Sequence, residues 1–183
     1  MEVADAQREV RSVFMGGFVG QLVSSGLWFL AAALGTWVSP SRAILALVVG
    51  GVFIFPLTQL LLKAMGRRAS LSAENPMGQL AMQVAFMVPL NLPVVAAATL
   101  HRLDWFFPAC MLIVGTHYLP FCFLYGMWQF GGLAAVLIGA GVTMGLYVPV
   151  GFSAGGWFTA GVLLLFAFVG RSVVRREGSP LPD

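Results

Sequence analysis

Residues Trp105–Gly170 read WFFPACMLIVGTHYLPFCFLYGMWQFGGLAAVLIGAGVTMGLYVPVGFSAGGWFTAGVLLLFAFVG, 66 positions without one Asp, Glu, Lys or Arg. His117 is the single basic side chain in the run. At a helical rise of about 1.5 Å per residue the run covers roughly 99 Å, about three hydrocarbon cores of ~30 Å. A soluble core has no use for such a stretch. The chain therefore reads as all-α, a polytopic transmembrane bundle.

Composition agrees. Hydrophobic residues make up 59% and charged residues 9%, against about 25% charged in ordinary soluble domains. With 183 residues nearly everything is used in spans and turns. The spacing predicts six: 13–38, 44–65, 77–100, 105–125, 129–148 and 155–174. This sets three regions: a polar N-terminal segment 1–12, a six-helix domain 13–174, and a tail 175–183. Ser39-Pro40 predicts a helix start with Pro in the first turn, Asn75-Pro76 another, and Asp104 is a plausible N-cap for the fourth span. The first apolar run is too long for a cleavable signal peptide and reads as a retained span.

Six crossings place both termini on one side. Arg8, Arg11, Lys63, Arg67, Arg68, Arg171, Arg175 and Arg176 fall on that side, and only Arg42 and Arg102 on the other. Eight against two predicts cytoplasmic termini. The net charge of +3 thus belongs to topology and lipid head groups, not to nucleic acid. Trp37, Trp105, Tyr147 and Trp157 are expected at the outer interface, and Tyr125 and Trp128 at the inner one. Cys110 and Cys122 are about 18 Å apart on one helix axis, too far to pair. Two cysteines, and histidines at different depths, make no metal site, and no cofactor is implied.

No acid, Lys or Arg lies well inside a span, which argues against proton or ion coupling through a titratable group. Zinc-protease, nucleophile-elbow and phosphate-loop signatures are absent. His117 with Tyr118 and Cys122 could serve acid–base or nucleophilic work, but no oriented partner is visible, so an enzyme is the weakest reading. Neutral polar residues remain. Pro89-Leu90-Asn91-Leu92-Pro93 should leave the third helix kinked or broken, because an interior Pro removes a helix hydrogen bond and clashes with the preceding turn. By depth, Gln21, Gln59, Gln83 and His117 fall toward the cytoplasmic half; with Asn91 and Tyr118 they either converge on a neutral polar pocket for a small ligand or make separate interhelical hydrogen bonds. Gly16, Gly20 and Ser24, and Gly141 and Gly145, are small residues four apart. They suit close helix packing, either within the bundle or in a homo-oligomer.

Gly16-Gly17-Phe18-Val19-Gly20-Gln21, Phe55-Pro56-Leu57-Thr58-Gln59, Asn91-Leu92-Pro93 and His117-Tyr118-Leu119-Pro120 together resemble a family of small bacterial integral membrane proteins of unknown function. The resemblance spans nearly the whole chain. It implies a bacterial inner-membrane location and carries no functional residues across. Two functions are open: a small transporter or permease-like protein, or a structural or accessory protein that binds lipid or another membrane protein.

Overall fold

A computed structural model describes residues 1–177; the end of the expected tail, 178–183, lies outside them. Seven α-helices account for it: α1 Val3–Val13, α2 Phe18–Trp37, α3 Pro40–Ala64, α4 Met77–His101, α5 Phe106–Tyr125, α6 Gln129–Val142 and α7 Ala154–Glu177. A π-helical turn, Thr143–Tyr147, prolongs α6. Six segments are long and apolar enough to cross a membrane: Met15–Trp37, Pro40–Ala64, Met77–His101, Leu103–Tyr125, Gln129–Tyr147 and Ala154–Arg176. They match the six expected spans.

Local chemistry sets the boundaries. The Ser39 side chain accepts from the Arg42 N–H at 3.3 Å, with Pro40 opening α3. The Asn75 Oδ1 accepts from the Met77 N–H at 2.9 Å and so starts α4, an orphan donor satisfied by a short polar side chain. Gly126, in the left-handed region at φ 63°, ends α5, and α6 opens three residues later at Gln129. Asp104 does not cap the next helix: Leu103–Trp105 forms a 3-10 turn and α5 begins at Phe106 without a side-chain cap.

The first span begins later than expected. The chain turns through Met15, Gly16 and Gly17, all at positive φ, before α2 starts at Phe18. Gly16 is therefore no member of a helical small-residue stripe. A Cβ on it would lie 2.7 Å from the Gly170 carbonyl oxygen, so hydrogen alone allows the turn to touch α7. Gly141 does pack within the bundle, where an added Cβ would meet the Pro108 carbonyl at 3.0 Å.

The helices follow one another across the bundle. α3 packs on α2, α2 on α7, α7 on α6 and α5, and α5 on α4. The core is the middle of that series, where Trp28, Phe106, Phe107, Met111, Leu133, Leu137 and Leu163 are buried. α3 and α4 are the outer members: 11% of the most apolar window of each is buried, against 28–50% in the others. Lipid covers their remaining faces without loss, since acyl chains are as apolar as Leu.

Pro89 and Pro93 do not break the third span: α4 is helical from Met77 to His101 with both inside. Trp37, Trp105, Tyr147 and Trp157 lie at the end away from the termini, as an interfacial belt requires. Trp157 donates to the Thr36 hydroxyl at 3.1 Å. Tyr125 departs from the expectation. Its ring is 6% exposed and packs on Phe121 and Phe130, because α1 covers it.

Candidate functional site

Several polar residues inside the spans bond within their own helices, whereas Gln21 Oε1, His117 Nδ1, Gln129 Oε1 and Thr159 Oγ1 are buried without a partner. Thr58 donates to Ile54 O, Thr99 to Val95 O, Thr116 to Ile113 O and Thr143 to Gly139 O, at 2.7–2.9 Å. The Asn91 Nδ2 donates to Met87 O at 2.7 Å. Ser25 reaches another span, donating to Ala160 O of α7 at 2.8 Å. In a medium that offers no partners, back-bonding to the preceding turn is the local way to keep a polar side chain satisfied.

Of the six candidate residues, Gln21 is buried on α2, with its Oε1 unpartnered. It faces a crevice lined by Met127, Gln129, Phe130, Phe166 and Gly170 that leaves no space for a water. Gln59 is half-buried on α3. Gln83 and Asn91 lie on exposed positions of α4, so Asn91 does not turn toward the other helices. His117 sits half-buried in the seam between α5 and α4, near the Val84 carbonyl, with its ring 5.0 Å from that of Phe121. Tyr118 is buried and stacks on Phe130 with centroids 6.0 Å apart. No hydrogen bond among the described residues joins any two of the six. They occupy separate seams and surfaces, not one pocket.

A denser polar constellation lies at the end that carries the termini. The segment before the first span is a helix: Ala6, Val10 and Val13 of α1 are buried, a 3–4 spacing that gives one apolar face. α1 lies over the ends of α4 and α5. Gln7 donates to Phe123 O, and Arg11 to Tyr125 O at 2.6 Å. Glu9 holds the 65–76 connection. Its carboxylate accepts from the Ser72 N–H at 2.7 Å, the Ser72 hydroxyl at 2.8 Å and the Asn75 Nδ2 at 2.8 Å. The Asn75 amide, Ser72 and then Arg68 hold the Glu9 carboxyl below its ordinary pKa, since bonds to the charged form favour it. Asn75 also donates to Ala6 O at 3.1 Å. Arg67 donates to Ser12 O at 2.9 Å.

A depression of about 350 Å³ opens beside this junction, lined by Glu9, Ser12, Val13, Gly66, Arg67 and Arg68. Sequence reading assigned the arginines to topology and missed Glu9, Ser72 and Asn75 as a unit. The one signal available was the apolar spacing of α1, which implies that a charged N-terminal helix docks on something.

Seven helices, six of them able to span a membrane, around an apolar aromatic core define a polytopic helical membrane protein. Within that class the chain belongs to a family of unknown function, DUF7010, whose family model matches residues 3–171. No curated protein and no solved structure matches it.

Proposed function

We propose that this is a structural or accessory membrane protein, resident in a bacterial inner membrane with both termini cytoplasmic, that works through its lateral surface. The observation that carries this reading is the hydrogen bonding of the intramembrane polar groups. Each hydroxyl of Thr58, Thr99, Thr116 and Thr143, and the Asn91 amide, is committed to its own helix. A permease-like protein would instead hold such groups around a shared pocket for a neutral small molecule. The excess of Lys and Arg at the terminal end supports the orientation.

The lateral contact falls on α4. Its buried stripe is Met77, Val84 and Val95. Gln79, Gln83, Phe86 and Leu90 are all exposed and, at 100° per residue, lie on the opposite face. An amide turned to acyl chains forfeits its hydrogen bonds, so Gln83 calls for a polar partner at its own depth. A second copy of this chain supplies one directly. A twofold axis along the membrane normal brings Gln83 to Gln83, and an amide both donates and accepts.

A photo-crosslinking residue at Phe86 in native membranes tests this. A discrete adduct of twice the chain mass, lost in Gln83→Leu, is expected. A discrete adduct with another membrane protein, also lost in Gln83→Leu, keeps the accessory role and replaces the second copy. Lipid adducts alone, or adducts indifferent to Gln83→Leu, refute the contact.

A further inference from the structure

We propose that the depression between α1 and the end of α3 seats the phosphate of an anionic phospholipid. This goes beyond the lateral contact of α4 and does not depend on it.

Gly66, at φ 68°, turns the chain sharply off α3, with its N–H donating to Lys63 O and the Arg67 N–H to Leu62 O. The turn folds Arg67 and Arg68 back toward α1, where both line the depression. One Nη2 donor of Arg67 is spent on Ser12 O at 2.9 Å, which fixes the side chain in place. Arg68 is held more loosely. Its Nη2 is 3.6 Å from a Glu9 oxygen that already accepts from Ser72 at 2.7 Å, beyond ordinary hydrogen-bond length. Most donors of the two guanidiniums are thus uncommitted, and those of Arg67 are already oriented. Planar forks of this kind match phosphate oxygens better than ammonium groups do.

Charge and size agree. Two arginines against one carboxylate leave the lining at +1, the complement of a phosphodiester. The volume of about 350 Å³ equals about a dozen waters at ~30 Å³ each, room for a phosphate with part of its glycerol. The surface beneath decides between a lipid and free phosphate. Leu57, Leu60 and Leu61 on the last turns of α3 and Met65 just after it are 44–62% exposed, an apolar surface for acyl chains on the helix that ends at the depression. The basic end of the bundle disfavours a choline beyond the phosphate and favours a neutral glycerol head group.

The test uses the full chain purified in a neutral detergent, with bound lipid measured by native mass spectrometry. The titrants are phosphatidylglycerol, phosphatidylcholine and inorganic phosphate. Phosphatidylglycerol should bind more tightly than phosphatidylcholine, and millimolar phosphate should not displace it. Arg67→Gln with Arg68→Gln should weaken phosphatidylglycerol by about tenfold or more, the loss of at least one charge-assisted fork. Arg175→Gln with Arg176→Gln removes equal charge from the same end and should change binding by less than about threefold. If the first pair does not fold, Arg67→Lys with Arg68→Lys keeps the charge, removes the forks and should still weaken binding. Equal weakening by both Gln pairs, or equal affinity for the two lipids, overturns the site. Ready displacement by inorganic phosphate overturns its assignment to a lipid.

Discussion

Replacing Glu9 by Ala removes the acceptor that ties the 65–76 connection to α1. Three bonds of 2.7–2.8 Å end on that carboxylate. Each charge-assisted bond contributes about 1.5–3 kcal/mol. The gross loss is then about 5–9 kcal/mol, which overstates the effect. The Glu9 side chain is 19% exposed, and water re-satisfies Ser72 once the carboxylate is gone, whereas Asn75 keeps its bond to Ala6 O. A net cost of roughly 2–3 kcal/mol for opening the connection follows. The Ser72 amide reports it directly, because its N–H is one of the three donors. Hydrogen exchange at Ser72 in detergent should accelerate by about 30- to 140-fold, at about 1.4 kcal/mol per factor of ten. Amides in the middle of α5 and α6 should not change. An acceleration under about twofold at Ser72, or a uniform loss of protection across the bundle, would refute the reasoning.

Acid should open the same connection late. A carboxyl whose folded pKa is depressed contributes stability that is present above its unfolded value and lost as pH falls through the folded one. Protection at Ser72 should therefore hold from neutral pH down to about the ordinary Glu value of 4.5 and be lost progressively below it, and loss of protection already near pH 6 would contradict it. Gly16→Ala should lower stability by roughly 2–4 kcal/mol, from left-handed strain together with a clash against backbone. A melting temperature in detergent that does not move would show that the turn can open away from Gly170. Gln21→Leu should be neutral, or stabilising by up to about 1 kcal/mol, since it removes a buried acceptor that has no partner. A loss of several degrees would mean that Gln21 holds a group this account lacks.

Membrane character, the six spans and most of their ends were legible because they rest on local chemistry. Ser39-Pro40 and Asn75-Pro76 act within a few residues of where they stand. The break at Pro89–Pro93 was over-read: α4 stays helical through both prolines, with Asn91 bonded one turn back to Met87. Gly16 was misplaced for a related reason. Its spacing to Gly20 fits a helix, but its conformation answers to Gly170, 154 positions away in sequence. Convergence of Gln21, Gln59, Gln83 and His117 is one of two readings that depth alone leaves open. Depth says nothing about which face of a helix a residue occupies relative to its neighbours. Glu9 was illegible for the opposite reason: its partners, Ser72 and Asn75, lie 63 and 66 residues on, and nothing local marks them.

In the proposed orientation α3 and α4 cross the membrane with the terminal end toward the cytoplasm. The most direct measurement is labelling of single cysteines by an impermeant thiol reagent in intact cells, with Cys110 and Cys122 replaced. Ser41, at the start of α3, should react. Ser70, in the connection that follows α3, should react only after the membrane is opened. The reverse pattern would invert the orientation, and reaction at both sites in intact cells would show that α3 does not cross.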